Sequence, residues 1–227
     1  HAYATSAMRE ASNVKSVIKK VKKAANIAIE PISGQREAEL IFGNFELALM
    51  DNDKDYLYID VGGGSTELTL IRDGRRIKSK SFQLGTVREL AGRLPDGEWT
   101  AVQAYVGGLQ DAERPLYAIG TGGNANRLQR LALTPRDEAI PIAKLSQVAN
   151  DLAKLSVEER RRAYHLKPDR ADVIVPAANM YLEIMTMAGA SHMVVPKVGL
   201  VDGMVLSTYH EWKAEQTSQT TQATQLS

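Results

Sequence analysis

The 227 residues include no cysteine, which excludes disulfides, thiolate metal centres and a cysteine nucleophile and suits a reducing cytoplasm. Neither sign of charge is in excess: 28 Lys and Arg face 27 Asp and Glu, for a net charge of +1. No global field therefore recruits nucleic acid or an anionic membrane, and any anion site must be local. No apolar run reaches the roughly 20 residues of a membrane span, and the N-terminus lacks the basic-then-apolar plan of a signal peptide. A cytoplasmic chain without membrane or nucleic-acid partners is expected. The four histidines are scattered without a pair at ligand spacing, so they give no metal site. An initiating methionine is also missing from the opening His1-Ala2-Tyr3-Ala4, as in a fragment or a processed chain. What is present, 44% hydrophobic and 24% charged residues, suffices for one sizeable core or two modest ones.

From a cap at Ser12 or Asn13, the residues Val14, Val17, Ile18, Val21, Ala24 and Ala25 recur at helical spacing. The other face carries Lys15, Lys19, Lys20, Lys22 and Lys23, which reads as a solvated helix surface or as a surface that steers a polyanion. A short strand at Ile27–Ile32 and a second helix from Ser33 to about Leu49 come next. Three strands are then expected, Tyr56–Val61, Glu67–Ile71 and Ile77–Leu84. The last two are joined by Arg72-Asp73-Gly74-Arg75, because Asp-Gly suits the positive φ values of a two-residue hairpin loop. Helices near Thr86–Arg93 and Trp99–Leu109 lead to a strand, Leu116–Ile119, and to the glycine run Gly120-Thr121-Gly122-Gly123. Helices over Ala125–Leu133, Ile142–Leu155, Val157–His165 and Ala171–Ala188 precede a strand, His192–Val198, and a helix over Asp202–Trp212. The tail, almost all Ser, Thr, Gln and Ala, is too polar to pack and is expected to be disordered. A meander succeeded by helices alternating with single strands is a mixed α/β domain.

The chemistry concentrates in Asp60-Val61-Gly62-Gly63-Gly64-Ser65-Thr66-Glu67. Three successive glycines remove every Cβ from the turn, so backbone N–H groups can converge on an anion. Ser65 and Thr66 add hydroxyl donors. A carboxylate on either side opposes a phosphate unless a cation lies between. Asp60 and Glu67 therefore imply a hard divalent metal, most plausibly Mg2+, with Asp60 acting directly or through water. Taken alone, the three glycines would equally describe a hairpin with two solvated carboxylates.

The segment Tyr58–Glu67 resembles the second phosphate loop of the actin-like phosphotransferase superfold as it occurs in the exopolyphosphatase and guanosine pentaphosphate phosphatase (Ppx/GppA) family. The blocks Ala4–Arg9, Ile32–Ala38, Gln83–Arg88, Asp169–Asp172 and Val198–Gly203 resemble family blocks in the same order, over roughly the first 205 residues. The resemblance implies an actin-like (ribonuclease H-like) ATPase superfold. Residues 1–30 would be the end of a first domain or an interdomain segment, 31–212 the second domain, and 213–227 the disordered tail. It also implies Glu37 as the base that activates water, Asp60 and Glu67 as metal ligands, and Gly62, Gly63, Gly64 and Ser65 as the phosphate cradle. Arg9 and Arg170 would reach substrate phosphates, a task suited to the two-pronged guanidinium. Two positions depart from the family pattern: Arg36 stands where a glutamate is usual, and Gly122 where a serine is usual.

The reaction implied is Mg2+-dependent hydrolysis of terminal phosphoanhydride bonds in inorganic polyphosphate or guanosine pentaphosphate. The first domain's own Asp-x-Gly loop is not found, so the chain reads as the C-terminal portion of an enzyme whose N-terminal actin-like domain is a missing partner. A homodimer is compatible with this. The alternatives are a noncatalytic sensor of alarmone or polyphosphate and an ATP-dependent kinase or ATPase of the same superfold.

Overall fold

A computed structural model of the chain describes residues 2–33, 36, 40, 53–109, 114–135, 137–196, 203–210 and 212–213. It forms two compact units, one of His1–Leu49 with Val198–Ser227 and one of Met50–Lys197. The expected boundaries at 30/31 and 212/213 do not coincide with these. In the first unit β1 (Ala2–Ala4) pairs in parallel with β2 (Ile29–Pro31). That pairing closes the chain from Ala2 to Pro31 into one β-α-β crossover, which runs across the expected 30/31 boundary.

Between these strands lie α1 (Ser6–Arg9) and α2 (Val14–Ala25). Asn13 stands at the N-cap of α2 as expected, and Asn26, left-handed at φ 56°, ends the helix with its N–H on Lys22 O. The next helix, expected from Ser33, has a capping bond there: Arg36 N–H donates to Ser33 Oγ at 3.0 Å. Most of that helix, Glu37 included, lies outside the described residues. So does the tail beyond Lys213, and the helix expected over Asp202–Trp212 is described at 203–210 and 212–213.

The second unit holds β3 (Asp55–Val61), β4 (Thr66–Arg72), β5 (Arg75–Phe82), α3 (Thr86–Leu90), α4 (Glu98–Val106), β6 (Leu116–Gly120) and α5 (Gly122–Leu131). Beyond them lie β7 (Ile140–Pro141), α6 (Ile142–Ala153), α7 (Val157–Tyr164), α8 (Pro168–Ala171), α9 (Ile174–Ala188) and β8 (His192–Val194). Its sheet runs β5-β4-β3-β6-β8-β7, with β3, β6 and β8 parallel and β4, β5 and β7 antiparallel to their neighbours. The meander is the one the sequence predicts. Asp73 and Gly74 turn it with φ of 51° and 67°, the pair of positive values that an Asp-Gly hairpin supplies.

Strand β3 is buried along both faces, which is why it reads as a continuous apolar run rather than an alternating one. Leu57, Ile59, Leu68, Leu128, Tyr181 and Ile184 belong to the core formed with it. At the strand's start, buried Asp55 is held by Arg72 and by Arg114, whose Nε lies 3.3 Å from Asp55 Oδ1. One helix differs from expectation. The helix expected over Ala171–Ala188 starts later, as α9 at Ile174, after a break at which the Asp172 carboxylate accepts the N–H of Val173 at 2.8 Å. Pro176 then falls in the first turn of α9, where no N–H is needed.

Candidate active site

Two adjacent parallel strands, β3 and β6, end side by side, with Ile59 opposite Gly120. Each runs into a glycine turn, so both turns emerge at the carboxyl ends of neighbouring strands, where open α/β sheets bind ligands. The second turn is shorter than the sequence suggests. Helix α5 begins at Gly122 rather than near Ala125, because the fold places these poor helix formers in its first turn. Thr121 occupies its N-cap without a side-chain capping bond. The Thr121 hydroxyl is instead paired with Tyr58 Oη at 2.8 Å, and its carbonyl accepts from Tyr181 Oη at 3.0 Å.

The Gly62–Ser65 turn is held by its carbonyls. Gly62 N–H donates to Ser65 O at 2.9 Å, Thr86 N–H to Gly62 O at 3.0 Å, and the N–H groups of Val87 and Arg88 to Gly63 O at 2.9 and 3.1 Å. Arg88 Nε takes Gly64 O at 2.9 Å. All four carbonyls of the turn thus have donors, three of them from the start of α3 or its Arg88 side chain. Among the described residues, the N–H groups of Gly63 and Gly64 have no acceptor. Amides left over while carbonyls are tied back form an anion-binding concavity. Gly85 is indispensable to it: a Cβ there would lie 2.3 Å from Gly63 O and 2.5 Å from the carbonyl carbons of Gly63 and Gly64.

Asp60 and Glu67 stand opposite each other across β3 and β4. Glu67 is buried, and its Oε1 accepts from Ser65 Oγ and Ser81 Oγ, both at 2.8 Å. The Ser65 hydroxyl is therefore turned to Glu67, and the hydrogen bonds found at Ser65 hold the carboxylate and the turn. Tyr58 Oη donates to Asp60 Oδ2 at 3.2 Å. Loss of hydration, and secondarily the charge of Glu67, push the Asp60 carboxyl up to about 6, against the hydrogen bonds from Tyr58 and Thr121. Burial also raises the Tyr58 and Tyr181 hydroxyls, Asp60 adding to both.

A cation between the two carboxylates would relieve this repulsion. Among the described residues no cluster of three or more His, Cys, Asp or Glu could hold a metal. Two carboxylates do not make an all-protein cage, but they fit Mg2+, which keeps waters and takes substrate phosphate oxygens as further ligands.

The second turn adds positive charge. A Cβ on Gly122 would lie 3.4 Å from Asp60 Oδ1, which places the start of α5 against that carboxylate. Arg170, from α8, lies across Gly123 so closely that a Cβ there would sit 2.6–2.7 Å from its guanidinium, and Nη1 donates to Asn124 Oδ1 at 3.3 Å. A guanidinium over the first turn of a helix, with the helix dipole behind it, suits an anionic ligand.

The second unit thus brings together Asp60, Gly62, Gly63, Gly64, Ser65, Glu67 and Arg170 among the residues the sequence singles out. Arg9 belongs to the first unit, where its Nη1 donates to Ile32 O at 2.7 Å, and Glu37 lies outside the described residues. Sequence reasoning gives no role to Tyr58, Ser81, Thr121, Tyr181 or Arg88. Three of them left a signal: Arg88 as the end of the Gln83–Arg88 block, Tyr58 as the start of the Tyr58–Glu67 segment and Thr121 as a member of the Gly120–Gly123 run.

The model of the Ppx/GppA phosphatase family matches residues 1–212. A guanosine-5′-triphosphate,3′-diphosphate pyrophosphatase of Aliivibrio fischeri is 26% identical over 96% of this chain and 47% of its own length. Exopolyphosphatase 2 of Mycobacterium tuberculosis is 28% identical over 79% of the chain and 64% of its own. The chain thus spans about half the length of the first of these relatives. In fold, the crystal structure of an exopolyphosphatase from Cytophaga hutchinsonii superposes with a TM-score of 0.74 at 23% identity, over 91% of this chain and 73% of that one. The Ppx/GppA structures belong to the actin-like ATPase fold, which is therefore the fold of this chain, as the sequence leads one to expect. Since the family match runs through both compact units and stops only at the polar tail, the chain belongs to the Ppx/GppA phosphatase family.

Proposed function

We propose that this chain is the C-terminal portion of a cytoplasmic, Mg2+-dependent hydrolase of terminal phosphoanhydride bonds, acting on inorganic polyphosphate or guanosine pentaphosphate. The partner it needs is an N-terminal actin-like domain carrying the opposing phosphate loop, and the whole is compatible with a homodimer. One observation carries the proposal: the Gly62–Ser65 turn has every carbonyl tied back and, among the described residues, no acceptor for the Gly63 and Gly64 amides. Relatives named for pyrophosphatase and exopolyphosphatase activity support the choice of substrate class.

In this mechanism the Gly63 and Gly64 amides hold the terminal phosphoryl group, and Arg170 and Arg9 balance charge on neighbouring phosphates. Asp60 and Glu67 would hold Mg2+, which when bound neutralises charge on phosphate oxygens. Ser65 and Ser81 orient Glu67 by donating to Oε1, while Tyr58 fixes Asp60. Glu37 takes a proton from the attacking water, and positioning with electrostatics supplies the rest of the rate.

The test joins the chain to its upstream domain and measures phosphate release from polyphosphate and from guanosine pentaphosphate, with and without Mg2+. Glu37→Gln should abolish hydrolysis by about 100-fold or more while leaving binding intact. Binding without any hydrolysis in the parent protein would make it a sensor instead. Robust turnover by the 227-residue chain alone would refute its being a portion that needs the other loop.

A further inference from the structure

Helix α2 breaks the local rules for charge on a helix. Its five lysines, at 15, 19, 20, 22 and 23, have no acidic residue between Glu10 and Glu30 to offset them. Without them the net charge of +1 would be −4. Lys22 and Lys23 lie in the last turn, where the dipole favours a cation. Lys15 lies in the first turn, where it does not. The pairs Lys15–Lys19 and Lys19–Lys23 set like charges four apart, which is unfavourable on a helix.

Among the described residues no carboxylate offsets this repulsion. The helix has no buried residue, and among the described residues Lys15, Lys19, Lys20 and Lys23 make no ion pair. Lys22 donates to Asn26 O at 3.3 Å. The aliphatic stems of Lys15, Lys19, Lys22 and Lys23 line one shallow groove together with Ile18, and the four lysines span a stripe roughly 12 Å long at 1.5 Å per residue. Such uncompensated local conflicts are expected where a surface serves function.

We propose that α2 binds a stretch of inorganic polyphosphate through this stripe. An inorganic polyanion needs only charge. The helix has no aromatic residue on which nucleic-acid bases could stack, and no Trp, Phe or Leu with which a basic amphipathic helix would enter a membrane interface. This assignment rests on the proposed polyphosphate chemistry, but binding tests it separately from turnover.

In the complete protein, Lys15, Lys19, Lys22 and Lys23 are all replaced by Gln, which has similar helix propensity, and in a second variant by Arg. A control replaces Arg75, Lys80, Lys154 and Arg162 by Gln. Equilibrium binding of long-chain polyphosphate should weaken roughly tenfold or more in the Gln variant, return in the Arg variant and change little in the control. KM for long-chain polyphosphate should rise in step, while kcat/KM on tripolyphosphate stays within about twofold. If the parent protein proves to hydrolyse neither substrate, the binding comparison still decides. Equal losses in the Gln variant and the control overturn the assignment. So does a Gln variant that binds polyphosphate normally but loses single-stranded DNA or phosphatidylserine vesicles.

Discussion

Replacing Asp60 by asparagine should stabilise the metal-free protein at alkaline pH while removing its activity. Burial and Glu67 raise the Asp60 carboxyl from its usual 3.8 to about 6. A carboxyl raised on folding binds its proton more tightly in the native state, so its contribution is most favourable at low pH and falls as pH rises from about 4 through 6. At about 1.4 kcal/mol per pH unit, the ionised group disfavours the fold by roughly 3 kcal/mol at pH 8. Asp60 is partly open to solvent, and screening brings this to about 1–2 kcal/mol.

Asparagine removes the charge and still accepts from Tyr58. The variant should therefore melt about 2–4 °C higher per kcal/mol gained, so by several degrees at pH 8 in thermal circular dichroism without metal. The gap should shrink to about a third by pH 4.5 and vanish only below the unfolded carboxyl's 3.8. Mg2+ should raise the parent's melting temperature and leave the variant's unchanged. A variant no more stable than its parent at pH 8, or a gap equal at both pH values, would refute the electrostatic reasoning.

Gly85→Ala drives a Cβ into the backbone of Gly63 and Gly64 and should destabilise the second unit by about 3 kcal/mol or more, read by denaturant titration. Gly123→Ala meets only the flexible end of Arg170. Stability should change by less than about 1 kcal/mol, while phosphate affinity, measured calorimetrically, falls by about tenfold as one charge-assisted contact is displaced. Tyr181→Phe leaves the buried Thr121 carbonyl without its donor and should lower stability by about 1–2 kcal/mol in the same denaturant assay.

Local chemistry set much of this protein. Residues Tyr56–Val61 and the Asp73-Gly74 turn state a meander because largely apolar runs and positive-φ dipeptides act within a few residues. The Asp60–Glu67 string states an anion loop with flanking carboxylates because its peculiarity lies in composition. Tertiary structure decided what each group does. Ser65 carries a hydroxyl that could serve phosphate or Glu67, and the strand register that brings Ser81 alongside turned it to Glu67. Thr121 is in sequence only a residue between glycines. It anchors the site because parallel pairing of β3 with β6 sets it beside Tyr58, and α9 brings Tyr181 to its carbonyl. Hydroxyl partners and strand neighbours arise from residues some 60 positions apart, a distance over which periodicity and composition carry no information.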